Sequence, residues 1–203
     1  LNIGEDYLLR TLQLEWFTLL EKLLQRRQTL PPTGLKCLTR CESLCCPRIQ
    51  MRRMNPERIA SPVVVLLPFE MEFLTKQICI SNGAFRRRPI RLVPDVTVEI
   101  GMMDLGKPCP FLQPDFHCAI YNRKPIDCQT FPMLPHISAS GQLAWDVDKS
   151  CPSVETLNPV FVKQIQEIWT ELHAHLPAAW WALYDWADDW TGWPPPQEDP
   201  HAA

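Results

Sequence analysis

The apolar positions of the chain fall into helical stripes at its two ends and into short, non-periodic runs in between. Over residues 5 to 27, Leu8, Leu12, Trp16, Leu19 and Leu23 recur at spacings of three and four, and Leu9 and Leu20 widen the stripe. This pattern predicts an amphipathic helix. Glu5 and Asp6 stand in its first turn and Arg26 and Arg27 in its last, matching the helix dipole, and Pro31-Pro32 stops it. The β-branched run at 63 to 68 predicts a short buried strand. A helix from Phe69 to Ile80 follows, with Phe69, Phe73, Leu74 and Ile78 inward and Asn82-Gly83 as its stop. Alternation predicts a strand over 92 to 100, and two short strands around Ser140-Gly141 predict a hairpin. Asn158-Pro159 is a cap followed by a first-turn proline. The helix behind it aligns Phe161, Ile165, Ile168 and Leu172, with Trp169 beside them. A last helix runs from Pro177 to about Trp190 and carries Trp180, Trp181, Tyr184, Trp186 and Trp190, an aromatic density that reads first as core.

These elements predict one α+β domain, mostly helical, with a small sheet or hairpin. Its expected parts are an N-terminal amphipathic helix (1–30), a central cysteine-rich region (31–157), C-terminal helices packed on it (158–191) and a proline-rich tail (192–203). A chain of 203 residues suffices for one domain with a real core and is short for two. Proline is abundant at 21 residues, about twice the usual share of ~5%, while glycine is scarce at 7. That balance favours fixed turns over disorder. The net charge of -3 weighs against a nucleic-acid partner. The basic runs at 48 to 58 and 85 to 91 read as solvated surface, and a site for an acidic partner is the alternative for the second.

Nine cysteines change the picture. No apolar run approaches the ~20 residues of a membrane span. The first residues have two acids and no basic start, so no signal peptide is expected. A cytoplasmic address keeps thiols reduced, and clustered cysteines there read as metal ligands. A disulfide framework is the rival, disfavoured by the odd count and the adjacent pair Cys45-Cys46. Eight of the nine form the candidate metal set: Cys37, Cys41, Cys45 and Cys46, then Cys109, Cys118 and Cys128, then Cys151. Cys79, between two isoleucines, reads as a small buried hydrophobe.

Cys37, Cys41 and Cys45 share one face if helical, with the outer two about 12 Å apart along the axis. One tetrahedral ion with Zn–S bonds of ~2.3 Å does not easily collect all three, whereas the wider sulfur spacing of a multi-iron cluster suits an i, i+4 pair. Cys46 points away from Cys45, so one of them ligates while the other packs, or the two serve separate centres. Four thiolates on zinc or on a 4Fe–4S core leave a charge near -2, and Arg123, midway between Cys118 and Cys128, is the natural neighbour to offset it. Phe111, Leu112, Ile120, Tyr121 and Phe131 are expected to form an apolar wall. His117 is a minor alternative ligand; His136, His173, His175 and His201 read as surface or hydrogen-bonded residues. There is no phosphate-binding glycine loop, HExxH or GxSxG.

At these residues the chain resembles the YkgJ-type cysteine-cluster family of zinc- or iron-chelating proteins. The shared features are Cys45-Cys46, then Cys109-Pro110-Phe111-Leu112, Cys118-Ala119-Ile120-Tyr121, Arg123, Pro125, Cys128, Phe131-Pro132 and Cys151-Pro152, with VVVLLPFEMEFL between the two clusters. The resemblance spans about residues 37 to 153. It departs in the first cluster, which lacks the family's glycine and has three-residue gaps. Lys124 also separates Arg123 from Pro125, and Gln129 replaces the arginine usual after Cys128. The cluster is also distantly similar to that of flagellin lysine-N-methylases, which implies a 4Fe–4S centre. Those proteins are much longer, and no methyl-donor site is evident here, so their activity does not carry over. The resemblance implies an iron–sulfur cluster, or else zinc, in a structural, sensing or electron-transfer role. The alternatives are a methylase-like enzyme component and a zinc-stapled module that docks a protein partner through the N-terminal helix or the Trp-rich helices.

Overall fold

The computed structural model describes residues 3–28, 63–78, 85–104, 109–114, 118–148, 151 and 154–188. The elements are α1 (Ile3–Gln28), β1 (Val63–Val65), α2 (Glu70–Ile78), β2 (Arg86–Val93), β3 (Val96–Asp104), α3 (Ile126–Thr130), β4 (Met133–Ile137), β5 (Leu143–Val147), α4 (Pro159–His173) and α5 (Ala178–Asp188). The fold is α+β as expected, with helices taking about half of the described residues. Cys37, Cys41, Cys45, Cys46, Cys79, His117, His201, Trp190, the basic run at 48 to 58 and the tail lie outside the described residues.

A three-stranded antiparallel sheet in the order β1-β3-β2 organises the molecule. Strand alternation divides its side chains between two cores. On one face Val63, Val65, Ile90, Leu92, Val96, Val98, Ile100 and Met102 join α1, α4 and α5 in the main core. On the other, Val64 and Met103 join Leu66, Met71, Leu74, Phe85 and Cys109 in a second, smaller cluster. β1 is apolar at every position because both of its faces are covered. Gly101 lies where α2 presses on the sheet. A Cβ there would stand 2.8 Å from Leu66 Cδ1 and 3.1 Å from Met71 Cβ.

The helices follow their predicted stripes. On α4, Phe161, Ile165, Ile168, Trp169 and Leu172 are buried, and Asn158 caps the helix by accepting the Val160 N–H at 2.9 Å. Trp180, Trp181 and Tyr184 of α5 are also buried, and Trp180 stacks on Tyr184 with centroids 5.0 Å apart. On α1 the buried line is Trp16, Leu20 and Leu23, with Leu9, Leu12 and Leu19 half-buried. Leu8 departs from its expected inward place and is 38% exposed. It sits about 80° around the helix from the Trp16–Leu23 line, at 100° per residue. Lys22 and Arg26 of α1 both reach Glu171 of α4 and hold its carboxyl below the usual range, the Lys22 hydrogen bond contributing most.

The strand expected over 92 to 100 is two strands joined by a tight turn at Pro94-Asp95, with Val93 paired to Val96. The basic run at 85 to 91, expected as solvated surface with no element assigned to it, forms most of β2. An edge strand needs only one apolar face. Ile90 and Leu92 supply it, while Arg87, Pro89 and Arg91 alternate outward. The predicted hairpin is present as β4 and β5, paired from Met133↔Val147 to Ile137↔Leu143, with Gly141 at φ 76° in its turn.

Gly101→Ala forces the backbone-anchored Cβ of Met71 away from the sheet. The expected loss is about 1–3 kcal/mol in urea unfolding; a variant as stable as the parent would show that this contact is slack.

Candidate metal centre

Three of the four described candidate cysteines lie on a segment folded by its own backbone. The carbonyl of Cys109 accepts the Leu112 N–H at 3.0 Å, and Phe111 accepts the Ala119 N–H at 2.8 Å. Leu112 and Cys118 form an isolated antiparallel bridge. Cys118 then accepts the Tyr121 N–H at 3.1 Å, opening a single 3-10 turn over Tyr121–Arg123. These bonds tie the backbone around Cys109 to that around Cys118. Cys128 follows on α3, a helix of 5 residues.

A helix that short does not stand alone. Its first N–H, from Ile126, is donated to Glu70 Oε1 at 2.8 Å, and Glu70 Oε2 accepts the Leu67 N–H at 2.9 Å. Tyr184 donates its hydroxyl to Asp127 Oδ1 at 3.0 Å, and Trp180 donates its indole N–H to the Leu66 carbonyl at 2.9 Å. The Gln129 amide donates to the Lys124 carbonyl. α3 is thereby fastened to the β1–α2 connection and to α5. Glu70 is 2% exposed, and burial raises its pKa to about 7 against the lowering effect of its two backbone donors. Phe69, just before it, has φ 59°, a left-handed conformation costly for an aromatic residue. The reciprocal Leu67–Glu70 bonds close around that bend.

Cys109 is buried in the second cluster, and Cys128, Phe111 and Leu112 pack against the same cluster. Two candidate ligands from separate turns of chain therefore pack against one cluster on the α2-covered face of the sheet, and the Leu112 bridge ties Cys118 to its surroundings. Cys151 is brought back by the hairpin. The Asp148 N–H returns to the Pro132 carbonyl at 2.8 Å, and the Cys151 N–H to the Asp148 carbonyl at 3.1 Å. Cys151 is buried and Cys118 half-buried.

Of the expected apolar wall, Phe111 and Leu112 pack on the cluster that holds Cys109. Ile120 is buried, and Phe111, Leu112 and Phe131 are half-buried, with Phe111 6.2 Å from Phe85 by ring centroids. Tyr121 does not belong to it: half of its surface is exposed, and the Lys124 ammonium lies 4.9 Å over its ring. Arg123 is exposed. With Lys124 it rims a cavity of about 20 Å³ lined by Leu24, Glu70, Phe73 and Gln129, room for one water molecule. Among the histidines, His136 lies 3.6 Å from Asp146, His173 packs on Trp181, and His175 packs on Trp16.

A family model described as "CxxCxxCC: Putative zinc- or iron-chelating domain" matches residues 36–152. The chain belongs to this family. The resemblance read from the cysteine spacing is therefore borne out, and the CxxCxxCC match covers both cysteine groups. Comparison with curated proteins and with solved structures gave no match. Among the described residues, no three His, Cys, Asp or Glu side chains gather closely enough to hold one ion. Among them too, no helix is long and apolar enough to cross a membrane.

Glu70, Asp127, Trp180 and Tyr184 escape a sequence reading of the site. An acid in the first turn of a helix is usually solvated. The usable signal is its position between a wholly apolar run and Met71, where the flanking residues are all buried.

Glu70 has a testable pH signature. Its folded pKa of about 7 exceeds the ordinary 4.5, so the folded state holds the proton more tightly. Stability from this group is full below pH ~4.5, declines as pH rises toward about 7, and is flat above; the drop is on the order of 3 kcal/mol. Urea unfolding at several pH values should give Glu70→Gln a shallower decline than the parent. Identical slopes would mean that Glu70 titrates normally.

Proposed function

We propose that this chain is a metal-binding protein whose cysteines hold an iron–sulfur cluster, first choice 4Fe–4S, or else zinc. The observation that carries this reading is the packing of Cys109 and Cys128 on one small cluster on the α2-covered face of the sheet, in a chain of the zinc- or iron-chelating family. The donors fit the group chemically: thiols in half-buried, largely apolar surroundings suit both zinc and iron–sulfur clusters. Cys109, Cys118, Cys128 and Cys151 supply one part of the set, and Cys37, Cys41, Cys45 and Cys46 the other. Arg123 is the cation proposed to offset the thiolate charge. A bound cluster would supply one-electron chemistry, and bound zinc a cross-link between distant segments. Either would contribute directly to folding.

A second reading is a zinc-stapled module that docks a protein partner. Tyr7 and Leu14 favour it, since they lie seven residues apart on the outer face of α1 at 75% and 68% exposure. The other proposed docking surface is the Trp-rich C-terminal helices; Trp169, Trp180 and Trp181 are buried there, so on that surface the reading rests on Trp186 and Trp190, whose side chains lie outside the described residues.

Metal and acid-labile sulfide should be measured on protein purified without oxygen. Iron with sulfide supports the cluster, and zinc without sulfide the staple; neither metal in well-folded protein would refute both. Cys109→Ser and Cys128→Ser should each lower metal content and melting temperature, and parental values for both would remove these two residues from the ligand set.

A further inference from the structure

β2 is the outer strand of its sheet among the described residues and carries Arg86, Arg87, Arg88 and Arg91. Arg87 and Arg91 are exposed on one face, with exposed Pro89 between them. Strand pairing usually sets opposite charges across from each other. Here the register sets Arg87 against Gly101 and Arg91 against Thr97. The nearby acid, Glu99, stands opposite Pro89 and so lies diagonal to both arginines. Glu72 of α2 feels Arg87 through space. Neither Arg87 nor Arg91 forms an ion pair among the described residues. β2 itself carries four arginines and no acid in a chain of net charge -3, and the nearby acids Glu99 and Glu72 belong to β3 and α2.

We propose that the β2 edge binds an extended acidic peptide whose carboxylates, four residues apart, face Arg87 and Arg91. Residues four apart on an extended chain share a face and span about 13 Å, so a peptide strand keeps step with the two arginines. The position midway between the carboxylates lies beside Pro89, with Glu99 one strand further in, and therefore takes an uncharged side chain. Pro89 removes one backbone donor from the edge, and the guanidinium groups repel a wholly apolar strand; both features leave charge as the basis of selection. A nucleic acid fits less well, because the overall negative charge opposes it at long range and Glu99 interrupts the basic row.

The test is fluorescence anisotropy of the full chain with a labelled Thr-Glu-Thr-Val-Thr-Glu-Thr peptide. Binding should weaken about tenfold when both glutamates become glutamine, as expected for two ion pairs lost together. It should also weaken when the central valine becomes glutamate, and when salt rises from about 50 to about 300 mM. Arg87→Glu with Arg91→Glu should reverse the preference toward a lysine peptide. If that variant has lost native circular dichroism, Arg87→Gln with Arg91→Gln serves instead and should abolish the preference for glutamate over glutamine. Equal binding of the glutamate and glutamine peptides would overturn the proposal. So would an unchanged preference in the arginine variants, or tighter binding of a single-stranded oligothymidylate than of the peptide.

Discussion

The buried carboxylate of Glu70 is the contact on which the cysteine-bearing region depends. It accepts one N–H from the strand side, at Leu67, and one from the start of α3, at Ile126. An N–H at a helix start has no partner within the helix, and leaving it unsatisfied in a protein interior costs on the order of 1–3 kcal/mol. Glu70 answers that need for a helix too short to persist alone. The position of Cys128 is thus set by a residue 58 positions earlier in the chain. The Tyr184–Asp127 bond repeats the arrangement from the other side, linking α3 to α5.

The sheet separates two tasks. One face builds the larger core with α1, α4 and α5, whose apolar area is the main source of stability. The other face carries a smaller cluster in which two cysteines sit among Val64, Leu66, Met71 and Phe85. A residue on β3 changes task with each step along the strand: Met102 belongs to the main core and Met103 to the cysteine side. Gly101 lets α2 lie close enough to cover that second face.

Much of this was legible along the chain, and the parts that were not share a cause. The stripe on α4 and its Asn158 cap are local properties, and both are found as read. So is the β4–β5 hairpin. β2 was hidden because a proline and four arginines look like surface loop; only its place at the sheet edge makes them compatible with a strand. Leu8 was misplaced because the helical repeat gives a stripe but not the width of the surface that covers it. The spacing of Cys109, Cys118 and Cys128 was plain, whereas the packing of Cys128 on the same cluster as Cys109 required α3 to be turned back against the sheet. Glu70 accomplishes that turn, and nothing local distinguishes it from any other acid at a helix start.

The β4–β5 hairpin departs from Pro132 and returns to it, the Asp148 N–H closing on the Pro132 carbonyl. It is a closed excursion: the distance in space between the end of α3 and the approach to Cys151 does not depend on how many residues the excursion contains. Lengthening or shortening its tip, where Gly141 makes the reversal, leaves the base of the ladder unmoved. The sequence interval between Cys128 and Cys151 is therefore a poor measure of their relationship. Chains with a very different interval there can keep the same closure at Pro132 and Asp148, and the tip offers a place to graft a foreign loop without disturbing it.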